Sequence, residues 1–265
     1  MGSQPDLDAH IRRYDGRRFD ESSRLTTRSA AGLVELARTR RLLADHLPPQ
    51  AEVLDVGGGT GVHASWLAGR GHPVTLVDPV PEHVAAARAA GGFAAEPGDA
   101  RTLRFPDGSF DAVLLLGPLY HLRDRADRLA ALGEARRVLR PGGVVLAGAI
   151  SRVVAATDLV TAAGFADLPG PALLRLLASG DSPADPAEGF PAGHFHTAAE
   201  LAEEVAAAGF DDVRVTGVEG PGSLALELVP PDDQVVAAAV VLAERAQGHP
   251  ASPDLSGHLL AVARR

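Results

Sequence analysis

The chain has 265 residues, 46% of them hydrophobic, which is enough for one well-filled core with or without a small cap. Its net charge is −9 and its acidic residues are scattered, which argues against nucleic-acid binding through clustered Lys and Arg. The absence of cysteine excludes disulfides, thiolate catalysis and cysteine-bound metals. No apolar run reaches membrane-spanning length and no signal-like segment opens the chain, so we expect a soluble cytoplasmic protein without a membrane partner.

The N-terminal part of the chain, residues 1–48, is predicted to be a helical segment. It is polar and arginine-rich to about residue 30, and then a helix over 32–47 ends before Pro48 and Pro49. Short apolar runs alternate with helical segments over the next hundred residues. The predicted strands are 53–56, 74–77, 93–95, 110–116 and 144–149, and the predicted helices are 62–68, 81–90 and 125–139. This alternation indicates a parallel sheet covered by helices on both faces, formed by a core over 49–151.

The pattern changes after residue 151. Residues 152–193 are predicted to form two short helices and a loop, inserted as a cap over the carboxyl edge of the sheet. Thr197 and Glu200 form a capping box that starts a helix over 198–208. A strand over 213–218, a helix over 231–247 and a strand over 258–262 follow, so that residues 194–265 complete the sheet of a single domain.

A glycine-rich loop, Asp55-Val-Gly57-Gly58-Gly59-Thr-Gly61, lies between the first predicted strand and its helix. Glycines let the backbone approach a ligand closely, and the helix start offers free N–H groups. The dinucleotide pattern G-x-G-x-x-G fails because Val62 stands where its last glycine belongs. A Walker loop needs a lysine, and the chain has none. The remaining pattern, D-x-G-x-G-x-G, is typical of a loop beneath a methionine moiety.

Acidic residues also follow the next two strands. Asp78 ends the second strand, where a carboxylate accepts hydrogen bonds from ribose hydroxyls, and Asp99 follows the third, where it would accept from an adenine amino group. Taken singly, Asp78 is equally well explained as a helix cap, and Asp99 as part of a common Gly-Asp turn. Three acids at three successive strand ends instead indicate one ligand site at the carboxyl edge of the sheet.

These motifs, together with GDARTLRFPDGSFDAVLLLGPLYHL and EARRVLRPGGVVL, make residues 50–150 similar to the class I S-adenosylmethionine-dependent methyltransferases, close to the methyltransferase-11-like group. The resemblance implies a Rossmann-like α/β fold: a seven-stranded, mostly parallel sheet with an antiparallel last strand, N-terminal helices and a small helical cap. It implies S-adenosylmethionine as cofactor and S-adenosylhomocysteine as product. The cofactor site that it implies consists of Asp55, Gly57, Gly58, Gly59, Asp78, Pro79, Asp99, Ala100, Leu116 and Gly117.

Several polar side chains are candidates for acceptor binding or for a general base, which assists methyl transfer to a hydroxyl or a protonated amine. His121 is the first candidate for the base and also for substrate contact, unless it only bonds to a neighbouring loop; Tyr120 either orients the acceptor or packs. His194 and His196 are further catalytic candidates, with His194 also at the substrate. Their alternatives are two partly exposed loop histidines or a metal pair, for which no third ligand of suitable spacing is evident, so no metal is predicted. Tyr14 either contacts the cofactor or acceptor or belongs to a mobile terminus.

The remaining histidines carry weaker expectations. His63 either touches the cofactor or caps its turn, whereas the others are predicted to lie on the surface: His10, His46, His72, His83 and His249. The apolar helix over 235–243 is expected to bury against the core or against a partner chain, in a monomer or a homodimer.

The leading functional hypothesis is methyl transfer to an O or N atom of a small molecule, with secondary metabolites as one source of acceptors. Amino methylation of nucleic-acid bases uses an Asn/Asp-Pro-Pro-aromatic tetrad, and Gly117-Pro118-Leu119-Tyr120 lacks its polar first residue. The alternatives are a peptide or protein methyltransferase and a cofactor-binding protein without transfer activity.

Overall fold

The computed structural model describes residue 25 and residues 29–162, 170–182 and 193–265. The helices are α1 (Ala30–His46), α2 (Val62–Ala68), α3 (Pro81–Ala90), α4 (Pro118–His121), α5 (Arg125–Val138), α6 (Arg152–Ala162), α7 (Gly170–Ser179), α8 (Ala198–Ala207), α9 (Ser223–Glu227) and α10 (Asp233–Ala246). The strands are β1 (Val53–Val56), β2 (Val74–Asp78), β3 (Ala94–Pro97), β4 (Phe110–Leu115), β5 (Leu139–Ile150), β6 (Asp181–Ser182), β7 (Gly193–His194), β8 (Asp211–Gly217) and β9 (His258–Arg264).

Seven strands form one sheet in the order β3-β2-β1-β4-β5-β9-β8. The pairs among β1 to β5 are parallel, whereas β9 is antiparallel to both β5 and β8. This confirms the predicted Rossmann-like sheet with an antiparallel last strand. It also places the ends of β1, β2, β4, β5 and β8, and the start of β9, at the same edge.

The sheet is buried on both faces because its strands alternate two sets of apolar side chains. On one face Leu54, Val113 and Val145 pack with Leu132 of α5 and Leu201 of α8. On the opposite face, α1, α2 and α3 supply Leu43, Leu67 and Val84, which pack on strand residues Val53, Leu76, Leu114 and Leu146. Continuous apolar runs in the sequence reflect this double coverage.

Local capping signals determine several element boundaries. The Thr197 hydroxyl accepts a hydrogen bond from the Glu200 N–H at 3.2 Å, which confirms the predicted start of α8. Pro81 occupies the first turn of α3, as expected from its preset φ. The fifth strand differs from its prediction: β5 already begins at Leu139, which pairs with Phe110, and continues through Gly142 to Ile150.

The predicted cap contains α6, α7 and a short antiparallel pair, β6 with β7, in which Asp181 lies opposite His194. An apolar cluster of Ala156, Leu176 and Phe195 holds these elements together, and Tyr120 of α4 packs against it. The cap is therefore attached to the helix that follows β4.

Helix α10 packs against α1, and its Ala243 is almost completely buried. The buried guanidinium of Arg38 on α1 donates to Gln247 at 2.9 Å and to Glu244 at 3.5 Å. Ala243 is the one buried residue of α10, and Val241 and Leu242 are half exposed, so burial of this helix against a partner chain stays a prediction. Within the described ranges, no helix has the length and apolarity needed to cross a membrane.

Candidate functional site

The glycine loop joins β1 to α2 at the carboxyl edge of the sheet. Gly57, Gly59 and Gly61 have φ values of 70°, 57° and 88°, a backbone region that side chains with a Cβ rarely adopt. The loop therefore depends on glycine at these positions for its conformation.

At two of these positions, close neighbours also leave no room for a side chain. A Cβ on Gly57 would lie 2.7 Å from Pro118 Cγ, and one on Gly61 would lie 2.5 Å from Phe93 Cζ. A Cβ on Gly59, in contrast, would have no atom within 4 Å among the described residues outside its immediate neighbours. Neighbouring residues pack tightly against Gly57 and Gly61, whereas the space beside Gly59 is open, as expected for a backbone beneath a ligand. We call residues 57–61 the glycine cradle.

Asp78, the last residue of β2, is almost completely buried and faces this loop. Its Oδ2 accepts from the Gly59 N–H at 2.9 Å, and its Oδ1 accepts from the Val80 N–H at 2.9 Å. His83 Nδ1 lies 3.1 Å from the same Oδ1, and the His83 side chain is only 14% exposed. The prediction that His83 lies on the surface is therefore wrong.

Asp55 lies beneath the loop and is 2% exposed. Burial, together with the charge of Asp78, raises the pKa of Asp55 to about 7. Among the described residues its Oδ2 has no hydrogen-bond partner, and a Cβ on Gly58 would come within 2.6 Å of this atom. Asp55 thus presents a buried acceptor atom directly under the glycine cradle.

The third acid, Asp99, follows β3 and is bound by a neighbouring arginine. Arg101 donates to Asp99 through its backbone N–H at 2.8 Å and through its guanidinium at 2.6 Å, and it also bridges to Asp127. The Asp99 side chain is 41% exposed, so it remains accessible from solvent. Ala100 packs against the core, whereas Pro79 is exposed.

The end of β4 reaches the glycine loop. Leu116 packs, half-buried, against the core face that contains α1 to α3. A Cβ on Gly117 would lie 3.1 Å from the Gly57 carbonyl oxygen. Leu116 and Gly117 therefore lie beside the glycine loop, with which the resemblance grouped them in one cofactor site.

Helix α4 carries Tyr120 and His121 between the loop and the cap. Their ring centroids are 4.7 Å apart, with the planes tilted by 57°. Tyr120 packs against the apolar cap cluster, and α4 contacts β7, which contains His194. Of the sequence-predicted substrate residues, Tyr120, His121 and His194 are thus brought to neighbouring elements. Tyr14 lies outside the described residues.

The alternative that His194 and His196 are partly exposed loop residues is wrong, because they are 4% and 0% exposed. His194 Nε2 lies 3.1 Å from Glu200 Oε1, and the guanidinium of Arg152 binds the other oxygen of Glu200. Burial alone would raise the pKa of Glu200, but His194 and Arg152 together lower it.

His196 Nε2 lies 3.2 Å from Glu204 Oε2. Arg128 donates to both oxygens of the same carboxylate, at 2.8 and 2.6 Å. Burial alone would raise the pKa of Glu204, but the hydrogen bonds from Arg128 and His196 lower it to about 2. Burial also lowers the pKa of His196. With no exposed surface, His196 has no access to an acceptor, and we correct its assignment as a candidate base.

Sequence reasoning assigned Glu200 only to a capping box and missed Glu204, although their four-residue spacing on one helix was a readable signal. The ligand atoms of His194, His196 and Glu204 lie within 4.8 Å of one another, so a third potential ligand does exist. Because Arg128 already neutralises Glu204, this group is an ion-pair network that ties α8 to α5.

The geometry fits S-adenosylmethionine. The open cradle at Gly59, the buried acceptor atom of Asp55 and the carboxylate of Asp78 meet at the edge where ligands of open α/β sheets bind. Comparison with known proteins agrees: the family described as "Methyltransferase domain" matches residues 54–147.

Named relatives extend this match. A demethylmenaquinone methyltransferase of Mycolicibacterium vanbaalenii is 34% identical over 183 residues, which cover 66% of this chain and 74% of that protein. A relative from Encephalitozoon cuniculi is 36% identical over 136 residues, or 51% of this chain. This chain spans 60% of the length of that relative, less than two thirds.

Among solved structures, the 1,6-didemethyltoxoflavin-N1-methyltransferase of Burkholderia thailandensis, with bound S-adenosylhomocysteine, has a TM-score of 0.56 and 20% identity. The similarity covers 100% of this chain and 91% of that one, and it supports the fold. The chain belongs to the class I S-adenosylmethionine-dependent methyltransferases.

Proposed function

We propose that this enzyme methylates an oxygen or nitrogen atom of a small molecule bound between α4 and the cap. The observation that carries the proposal is the position of Tyr120. It lies on α4, three residues beyond the Gly117 that touches the glycine loop, and it packs on the cap cluster. An acceptor at this junction would be close to the cradle and enclosed by the cap.

The charge of the chain and the names of two similar proteins support a small acceptor. The net charge of −9 disfavours polyanionic substrates. The demethylmenaquinone methyltransferase and the 1,6-didemethyltoxoflavin methyltransferase are both named for small-molecule substrates.

In this proposal different residues at the carboxyl edge of the sheet bind different parts of the cofactor. The backbone at Gly57, Gly58 and Gly59 lies under the methionine part, with Asp55 beneath it. Asp78 and Pro79 lie at the ribose, Asp99 and Ala100 at the adenine, and Leu116 and Gly117 near the sulfonium. When bound, S-adenosylmethionine supplies a methyl group that is already activated. The main task of the protein is therefore to hold an acceptor in line with the bond that breaks.

We assign His121 as the general base that takes a proton from the acceptor. The bound cofactor would supply the methyl group, and the acceptor atom that takes it would release a proton. That proton would pass to the imidazole of His121, because a neutral imidazole nitrogen can accept a proton. His194 lies on the neighbouring strand β7, where Glu200 of α8 holds its ring, and would position the acceptor.

The first experiment is calorimetric titration of S-adenosylhomocysteine into the wild type, Asp78→Ala and Asp107→Ala. Asp107 is a matched control because its side chain is 75% exposed and lies on Arg137, away from the cradle. Loss of a charged acceptor should weaken binding by about 1.5–3 kcal/mol in Asp78→Ala only. No binding by a folded wild-type protein would contradict the proposed cofactor site.

The acceptor class is then tested with methyl-labelled S-adenosylmethionine and host extract separated into small molecules, proteins and nucleic acids. Label in the small-molecule fraction, lost in a His121→Ala variant that still binds S-adenosylhomocysteine, is expected. Label confined to protein would contradict the proposed substrate class.

A further inference from the structure

Three ionisable side chains outside the methyl-transfer site converge at the carboxyl edge of the sheet. Glu35 lies on α1, Glu219 two residues after the end of β8, and His258 at the start of β9. His258 Nδ1 lies 2.5 Å from Glu219 Oε1 and 3.6 Å from Glu35 Oε2. One ligand atom from each of the three lies within 4.8 Å of the others. Elements far apart in the sequence thus aim two carboxylates and one imidazole at the same point.

Glu219 is held rigidly in this cluster. Its side chain is only 3% exposed. Its Oε2 accepts from the Ser256 hydroxyl at 2.7 Å and from the His258 backbone N–H at 2.9 Å. These bonds orient Oε1 toward the His258 ring and Glu35. Outer hydrogen bonds of this kind are what orient carboxylate ligands in metal sites.

The partners of Glu219 differ from those of Glu204 in the His194–His196–Glu204 group. There Arg128 neutralises the buried carboxylate through both oxygens. Within the described ranges no arginine pairs with Glu219; the nearby Arg38 donates to the Val218 carbonyl oxygen and to Glu244 instead. The group that lies on Glu219 Oε1 is instead the His258 ring, at 2.5 Å, so that the carboxylate and the imidazole already face each other.

We propose that Glu35, Glu219 and His258 bind a divalent metal ion of the Zn²⁺ or Mn²⁺ type. A mixed set of one imidazole nitrogen and two carboxylate oxygens suits these ions, and three protein ligands leave a coordination position open. The side chains of Glu35 and His258 are 14% and 28% exposed, which gives the ion a route from solvent. This site is independent of the proposed acceptor.

The test uses the full chain after chelator treatment and dialysis. Free Mn²⁺ is followed by electron paramagnetic resonance during titration of the wild type, Glu35→Gln and His258→Gln, with Zn²⁺ as competitor. Glu203→Gln is the matched control, because that side chain is 77% exposed and its substitution removes the same charge. His194→Gln reports on the other histidine group, and circular dichroism melts verify that each variant folds.

We expect saturable binding of one Mn²⁺ per wild-type chain, displaced by Zn²⁺, and a weakening of about tenfold or more in both cluster variants. Binding should be unchanged in Glu203→Gln and His194→Gln, and Mn²⁺ should raise the melting temperature of the wild type. Absence of saturable binding, binding unchanged in both cluster variants, or loss in His194→Gln alone would overturn the proposal.

Discussion

Gly57 and Pro118 are in such close contact that a Cβ on Gly57 would lie 2.7 Å from Pro118 Cγ. The glycine loop after β1 and helix α4 after β4 are thus packed as one unit. Since α4 also carries Tyr120 and His121, the cofactor cradle and the proposed acceptor site share a rigid boundary.

This contact predicts different effects for two glycine substitutions in the same loop. Gly57→Ala and Gly59→Ala both place a Cβ at positive φ, which costs about 1–2 kcal/mol. Only Gly57→Ala also clashes with Pro118, adding about 1–3 kcal/mol. We therefore expect Gly57→Ala to be the less stable variant in urea denaturation without ligand. Equal stabilities would show that the contact with Pro118 relaxes freely.

Asp55 should make the stability of the ligand-free protein depend on pH. Its pKa is raised from 3.8 to about 7 in the folded state. Between these values the folded protein holds a proton that the unfolded chain has lost, so the contribution of Asp55 to stability falls as pH rises. Asp55→Asn removes this titration.

Urea denaturation of the wild type and Asp55→Asn at several pH values tests this point. The free energy of unfolding of the variant should rise relative to the wild type as pH increases from about 4 to 7 and then level off. A difference that is constant over this range would mean that Asp55 does not titrate with a raised pKa.

Glu204 and its sequence neighbour Glu203 provide a matched pair for the buried network. Glu204→Gln weakens the pairing with Arg128 and His196, and breaking a buried ion pair costs about 3–5 kcal/mol. Glu203→Gln removes an exposed pair with Arg125 and should cost about 0–1 kcal/mol. Chemical denaturation at neutral pH measures both. If both variants lose a similarly small amount of unfolding free energy, the ion pairs of Glu204 with Arg128 and His196 contribute little to stability.

The Glu204 carboxylate should also make the stability of the fold depend on pH in acid. Its pKa is lowered from 4.5 to about 2, so it stabilises the fold above pH 4.5 and loses this contribution as pH falls toward 2. The stability difference between the wild type and Glu204→Gln should therefore shrink over that range. A difference independent of pH would contradict the assignment.

Gly180 tests whether the cap and the cradle respond separately. Its φ is +79°, and a Cβ there would lie 2.8 Å from His194 Cε1 and also meet the Phe195 carbonyl oxygen. Gly180→Ala should loosen β6 and β7. Gly170→Ala, whose Cβ would have no atom of the described residues within 4 Å outside its immediate neighbours, should not.

Hydrogen exchange over residues 170–182 and 193–196 measures this effect. We expect at least about a tenfold loss of protection in Gly180→Ala, equivalent to about 1.4 kcal/mol, with unchanged affinity for S-adenosylhomocysteine. A parallel loss of affinity would show that the cap also shapes the cofactor site.

Local signals in the sequence were sufficient for the parallel strands and the glycine loop, whereas the antiparallel last strand was implied only by the family resemblance. The alternation of apolar runs and helices predicted the strands, because a parallel sheet buried on both faces needs apolar residues throughout. The glycines at 57, 59 and 61 predicted the loop, because their conformations exclude other residues. Thr197 predicted the start of α8, because a cap is satisfied within one turn.

Only the tertiary structure decided which charged side chains are buried together. His194 and His196 resemble loop residues in the sequence, and their burial arises from packing against α8. Arg128 and Glu204 are separated by 76 positions, and Glu219 and His258 by 39. No periodicity or short motif encodes such pairs, because the free energy of a buried charge depends on the partner that folding brings beside it.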